Sequence, residues 1–369
     1  MRVALMGRSM RGRFSGVVRY TDQLVRHLDP VLGADLNVFL TRSPDGLDGL
    51  RLRRIRAPFP TPNEYARAFW EQTVVPLEVA RLRPDVYHSP NYILPLAIRC
   101  PTVVTIHDLF YLDPALHTRR SHLYLSFLAG VAIRRASRII CVSAYTRDCL
   151  LARFPGAADR VRVIGEGVEP SFRPPSAEAV AELKQRLGLI EPYVLFVGTV
   201  EPRKNLPRLV RAFERAALRA GFPHHLVIAG GTGWKSGPLA SALEASRVAD
   251  RIHLIGYLPD ADLPAAYGGA DVFAYPSQAE GFGLPPLEAM ACGTAVLSSN
   301  TSALPEVLGE AALLLDPSDE EALAGGLERL LCDAGERRLR VEAGLRHAGA
   351  HSWDRAAAQT LAVYAEAAA

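Results

Sequence analysis

Residues 273–299, FAYPSQAEGFGLPPLEAMACGTAVLSS, admit few folds. Phe273–Pro276 is an apolar run of strand length, Ser277–Gly283 a polar loop containing glycine, and Ala295–Ser299 a second strand-like run. Pro285 and Pro286 suit a helix start, where a missing N–H costs nothing; the helix continues over Leu287–Cys292, and Gly293 suits its end. The free backbone N–H groups around Gly283 and Leu284, with the positive end of the helix dipole, make a site for an anion, most naturally phosphate. Glu280 and Glu288 bracket this corner with seven residues between them. A carboxylate beside a phosphate site is unfavourable unless it binds something else, such as hydroxyls. A phosphate flanked by hydroxyl acceptors describes a nucleotide-sugar, the bland alternative being surface glutamates on a proline-started helix.

A second loop points the same way. Tyr193–Val197 reads as a strand, followed by GTVEPRKN (Gly198–Asn205) and a helix over Pro207–Arg219. Adjacent cations at a strand-to-helix loop are a poor structural choice unless they meet an anion. Lysine is rare in this chain, only Lys184, Lys204 and Lys235 standing against 39 arginines, so a lysine at this loop suggests that a compact ammonium matters. Arg203 and Lys204 are expected to meet an anion there, with Glu201 orienting Arg203.

At 369 residues the chain is long enough for two domains. Its 49% apolar and 22% charged content is that of a soluble globular protein, and no apolar run approaches the roughly 20 residues that span a bilayer. The N-terminus enters a strand and a glycine turn directly, unlike a signal peptide. Five scattered cysteines without a C-x-x-C pair indicate neither a disulfide framework nor a zinc site, and fit a reducing cytoplasm. Residues 1–165 hold 24 arginines against 13 acids, a net +11; the remainder holds 18 basic residues against 26 acids, a net −8. The basic half is suited to an anionic surface or acceptor, such as lipid headgroups or lipid-linked phosphates. The arginines are dispersed and no nucleic-acid motif accompanies them.

The first half opens as strand (Val3–Met6), glycine loop and helix (Gly16–Leu28), without the spacing of a dinucleotide fingerprint. Strands follow at Leu36–Leu40, Asp85–Ser89, Thr102–Ile106, Ile139–Val142 and Val161–Ile164, with an arginine-rich exposed stretch at 45–56. A helix over Glu64–Leu82 carries Pro76 as a kink or break; with Trp70 and its arginines it could lie on a membrane, although packing on the sheet is the more common fate. His107 follows the strand TVVTI, at the sheet end where α/β folds place ligands. Ser143 is a good helix cap. Glu166–Val180, with three prolines, reads as the linker. In the second half, the glycine loop at 230–234 is a weak phosphate cradle. Asp260 and Asp262 suggest a helix cap more than a metal-binding Asp-x-Asp.

EGFGLPPLEAMACGTAV, SSNTSALPEVLGEAALLLDP and GTVEPRKN together resemble the signature of the retaining glycosyltransferases of family 4, which have the GT-B fold. The resemblance spans nearly the whole chain and is strongest from Val197 onward. It implies an α/β protein of two doubly wound Rossmann-like domains facing an interdomain cleft: residues 1–170 on the acceptor side, with a C-terminal helix over 353–369 packing back on them, and residues 171–352 binding the nucleotide-sugar. It places Gly16, with Ser15 nearby, by the donor phosphates, Tyr257 by the nucleotide base, and Glu288 on the ribose hydroxyls. Glu280 and His107 fall at the sugar and reacting centre, with Arg203 and Lys204 on the leaving diphosphate.

The implied reaction is retaining, metal-independent transfer of a hexose to a lipid-linked or polysaccharide acceptor. GVVRY and SALPEV lean towards mannosyltransferases and GDP-mannose. No cofactor or metal is expected, and the implied location is cytoplasmic, with a peripheral position at the inner face of the plasma membrane. An epimerase of the same architecture or a non-catalytic sugar-nucleotide-binding protein are the alternatives.

Overall fold

The computed structural model describes residues 1–7, 16–41, 47–59, 61, 63–110, 119–231 and 237–369; Ser15 and residues 232–234 of the glycine loop lie outside them. The chain divides into two compact units, Met1–Gly167 with Ser352–Ala369, and Val168–His351. Among the described residues no helix is long and apolar enough to cross a membrane.

The first unit is built on strands β1 (Val3–Met6), β2 (Leu36–Leu40), β3 (Arg53–Arg56), β4 (Val86–Ser89), β5 (Thr102–Ile106), β6 (Arg138–Cys141) and β7 (Val161–Val163). All pair in parallel, in the order β3-β2-β1-β4-β5-β6-β7. β1, β2, β4 and β5 are buried along their length, which is why they do not alternate apolar and polar residues; Asn37, His88 and Ser89 are buried polar members of β2 and β4. On one face Trp70, Val75 and Val79 of helix Glu64–Leu82, Ile133 of helix Arg119–Arg135 and Leu150 of helix Ala144–Arg153 close over Met6, Tyr87, Val104 and Ile139. On the other, helix Gly16–Leu32 packs with the C-terminal helix Trp353–Ala368, which rests on β4, β5 and β6.

That C-terminal helix is fastened by buried hydrogen bonds. Tyr364 Oη lies 2.6 Å from His88 Nδ1, His88 Nε2 lies 2.9 Å from Thr105 Oγ1, and the Tyr20 hydroxyl lies 3.1 Å from the same Thr105 oxygen. Burial holds His88 far below its ordinary value, at about 3, so the link is made by a neutral ring.

The second unit repeats the plan with β8 (Tyr193–Val197), β9 (His225–Ala229), β10 (Ile252–Gly256), β11 (Val272–Tyr275), β12 (Ala295–Ser299) and β13 (Leu313–Leu315), parallel in the order β10-β9-β8-β11-β12-β13. Helices Leu206–Ala220 and Glu320–Cys332 pack together, and Arg211, Arg215 and Arg219 reach Glu320, Glu321 and Glu328 along their exposed edge. In both units the order reverses between the first strand and the fourth, and ligands of open α/β sheets sit outside the carboxyl ends at that point.

The structure refines three sequence expectations. The stretch at 45–56 is exposed only in part: Leu47 and Leu52 are buried and Arg53–Arg56 is the edge strand, where side chains facing solvent are tolerated. The boundary between the units, Gly167/Val168, falls within the linker read at 166–180, and the end of that stretch enters a helix over Ala177–Leu187, which Ser176 caps by accepting from Ala179 N at 3.2 Å. Pro76 does not break its helix, which runs continuously from Glu64 to Leu82.

Candidate functional site

In the second unit β8 and β11 are neighbours at the reversal of strand order, so the loops leaving their carboxyl ends meet. The chain leaving β8 makes a short 3₁₀ turn over Pro202–Lys204. Asn205 follows at φ 62°, a left-handed conformation that asparagine tolerates better than most residues. Its amide donates to Pro276 O at 3.2 Å and Pro317 O at 2.7 Å, while Gln278 N donates to Arg203 O at 2.7 Å. These bonds clamp the lysine-bearing turn against the loop that follows β11.

The clamp brings two cations onto one carboxylate. Lys204 Nζ lies 2.6 Å from Glu280 Oε1, and Arg203 Nη1 lies 2.7 Å from Glu280 Oε2. Ser277 Oγ donates to Oε1 at 2.6 Å, and Ser302 Oγ accepts from Glu280 N at 3.0 Å. Lys204 also donates to the Tyr275 hydroxyl, and Glu201 Oε1 holds Arg203 Nε at 2.6 Å. Lys204 and Glu280 are only 6% and 7% exposed.

Burial by itself would push the Glu280 carboxyl up. Lys204 and then Arg203 more than reverse this, with help from the Ser277 hydrogen bond, and hold it at about 2. Burial draws the Lys204 ammonium below its usual value, with Glu280 pulling against it. The Tyr275 hydroxyl is pushed far up, by burial first and Glu280 second, so it stays neutral. With Glu201 and Glu280 as counterions the two cations are balanced. A further anion can enter if Glu280 exchanges a cation for a neutral donor such as a hydroxyl.

Gly283 lies beside this cluster in sequence at φ 116°, a value glycine tolerates, and opens helix Leu284–Ala291 with no side-chain cap. Pro285 and Pro286 carry no N–H, so the amides of Gly283 and Leu284 are the first donors at this end. Glu288, four residues into the helix and 2% exposed, accepts from the Tyr267 hydroxyl at 3.1 Å. Tyr257 stands past the edge strand β10, 40% exposed and outside the ion-pair cluster.

Asp262 makes no capping bond to helix Leu263–Gly268 and pairs with Arg186 at 2.5 Å instead, which corrects the reading of it as a cap. Among the described residues no three or more His, Cys, Asp or Glu side chains gather as a metal-binding group.

Gly16 and His107 belong to the first unit. Gly16 opens its helix with no atom within 4 Å of where a Cβ would stand, so sterics do not require glycine there. His107 follows β5, with Nδ1 3.1 Å from Glu166 Oε1 and Nε2 3.1 Å from Pro90 O. Ser143 caps its helix through Thr146 N at 3.0 Å, and Thr146 Oγ1 donates to His107 O at 3.3 Å. Sequence reasoning missed Tyr275, Ser277, Asn205 and Glu166. Ser277 and Asn205 stand beside residues it had singled out, and Tyr275 ends the strand before Ser277. Glu166 lay in the supposed linker.

Family models match both halves of the chain: Glycosyltransferase Family 4 over residues 14–172, and Glycosyl transferases group 1 over residues 181–346. The chain is 34% identical over 281 residues to O-antigen chain mannosyltransferase B of Escherichia coli, covering 76% of this chain and 74% of that one. It is 31% identical over 320 residues to the serotype-specific mannosyltransferase WbdA of Escherichia coli, covering 78% of this chain but only 38% of WbdA. Sucrose-phosphate synthase from Thermosynechococcus elongatus superposes with a TM-score of 0.78 at 22% identity, over 99% of this chain and 98% of that one. The two parallel-sheet, Rossmann-like units are those of the GT-B fold.

The geometry sets the sign of a pH effect. Because the Glu280 carboxyl is held at about 2, below its ordinary 4.5, its contribution to stability is full above pH 4.5 and is lost as pH falls toward 2. Glu280→Gln strands the buried Lys204 ammonium, while Arg203 keeps Glu201, so at pH 7 it should cost about 3–5 kcal/mol in urea unfolding, and the gap to wild type should close as pH falls toward 2.

Proposed function

This chain belongs to glycosyltransferase family 4, and on that premise we propose that it transfers mannose from GDP-mannose to a lipid-linked or polysaccharide acceptor, retaining the anomeric configuration without a metal ion. The observation that carries the proposal is the convergence of Arg203, Lys204 and Glu280 beyond β8 and β11, a few residues before the uncapped start of helix Leu284–Ala291. The similarity to O-antigen and serotype-specific mannosyltransferases favours mannose. The epimerase and binding-protein alternatives give way to the family assignment.

The barrier in such a transfer is departure of a diphosphate that gains negative charge as the bond to the sugar C1 breaks. Arg203, Lys204 and the Gly283–Leu284 amides would stabilise that charge where it develops. They would supply what a divalent ion supplies in other enzymes. Glu280 would exchange Lys204 for sugar hydroxyls as the diphosphate arrives, and its charge would favour the oxocarbenium-like sugar. Glu288 would take the ribose hydroxyls in place of Tyr267, and Tyr257 would approach the base. The electron pair of the C1–O bond goes to the departing phosphate oxygen. That oxygen takes the acceptor's proton as the new bond forms on the same face.

The basic first unit would meet an anionic membrane at the cytoplasmic face. Helix Glu64–Leu82 turns Phe69 and Leu77 outward, 60% and 62% exposed, with Arg81 in its last turn. Arg81 is paired with Glu78 at 2.5 Å, so this helix would bring the apolar contact and the other arginines of the unit the charge that suits an anionic lipid interface.

Mannose transfer from GDP-mannose should survive EDTA, give a retained linkage, and fall by about 10²–10³-fold in kcat in Lys204→Ala. Loss of transfer on chelation, or an inverted linkage, would refute the proposed chemistry. Wild-type protein should co-sediment with phosphatidylglycerol vesicles and not with phosphatidylcholine vesicles. Replacing both Phe69 and Leu77 by Ser should weaken that binding several-fold at low salt.

A further inference from the structure

The His107–Glu166 pair is buried and closed within the first unit. The His107 side chain is 14% exposed and that of Glu166 4%. One ring nitrogen faces the carboxylate and the other a backbone carbonyl; both partners are acceptors, so a neutral ring donates to one of them and only a ring carrying both protons donates to both. The Tyr20 ring stands edge-on to the imidazole at 4.7 Å, and Thr146 holds the His107 carbonyl. His107 therefore has neither a ring nitrogen left over for a substrate nor room to rotate without breaking these contacts.

Glu166 is itself fixed by the chain around it. Gly167 follows, and a Cβ there would lie 2.3 Å from Trp353 N, so only glycine lets the chain pass the Ser352–Trp353 backbone at this distance. The next residue, Val168, donates its N–H to His351 O at 3.1 Å. The two places where the chain passes between units are thus paired side by side, and the carboxylate that holds His107 projects from the first of them. Trp353, on the second, meets the Tyr20 ring at 5.8 Å between centroids.

We propose that Glu166 is a positioning residue for sugar transfer: its carboxylate locks the His107 ring through Nδ1 and so fixes the loop end of β5, which carries that ring. The inference rests on the glycosyltransferase reading and adds a role that reading does not contain. It agrees with a transfer in which the departing phosphate, and no side chain, takes the acceptor's proton. Fixing a group near a reacting centre matters because a displacement of about 1 Å can cost about 10²-fold in rate.

The test compares Glu166→Gln and Glu166→Ala with wild type, each checked for an unchanged circular dichroism spectrum and melting temperature. Nitrogen-15 NMR of histidine-labelled protein should show a hydrogen-bonded Nδ1 proton on His107 in wild type. Glu166→Gln, which keeps an acceptor in place, should retain it, and Glu166→Ala should lose it. In the transfer assay, Glu166→Ala should lower kcat about 10–100-fold with donor KM changed less than about threefold, and Glu166→Gln should recover most of the loss. An Nδ1 signal unchanged in Glu166→Ala, or a loss confined to KM, overturns the proposal. If Glu166→Ala does not fold, failure of Glu166→Gln to keep both signal and rate overturns it equally. If wild type transfers no sugar while the NMR pattern holds, the transfer reading has failed and the His107–Glu166 lock has not.

Discussion

The second unit turns on one buried carboxylate shared by two cations. Glu280 arrives on the loop after β11, and Arg203 and Lys204 on the turn after β8. Parallel strands side by side make those loops neighbours, and the reversed strand order keeps helices from covering them. The ion pairs cost desolvation that a hydrophobic cluster would not, so stability alone does not account for them. On the proposed function they hold a pair of cations in place for an incoming anion, with the carboxylate that balances them free to turn to hydroxyls. Asn205, Ser277, Tyr275 and Ser302 hold that arrangement and bring no net charge to it.

The first unit uses the same plan differently. Its reversal point carries a buried, uncharged chain of hydrogen bonds, Tyr20 to Thr105 to His88 to Tyr364, which ties the last helix of the protein to the sheet. Burial keeps His88 neutral, so this fastening does not change with pH over the range in which proteins work. Alongside it, His107 is held by Glu166 and Pro90. One unit therefore presents fixed cations and the other a fixed ring, each at the carboxyl end of a parallel sheet.

Much of this was legible in the sequence because it is local. Unbroken apolar runs such as TVVTI and YVLFV announced buried parallel strands, and Pro285-Pro286 marked a helix start. RRIR was not read as a strand because an edge strand needs little apolar character. Arg203, Lys204 and Glu280 could be named singly from their charge beside glycine and proline turns. Their pairing could not be read, since 76 residues separate Lys204 from Glu280 and only the strand order joins them. Glu166 was hidden for the same reason: in sequence it borders a proline-rich segment, while in space it sits against a histidine 59 residues earlier.

The central claim is that Lys204 recognises the diphosphate of the donor. Calorimetric titration of wild type and Lys204→Met with GDP and with guanosine, in EDTA, measures that recognition as a coupling between one side chain and the phosphates. The account predicts that GDP binds wild type at least about tenfold more tightly than guanosine, a difference of about 1.4 kcal/mol, and that the advantage largely vanishes in Lys204→Met. An equal advantage in both proteins, or one that appears only when a divalent ion is added, would contradict it.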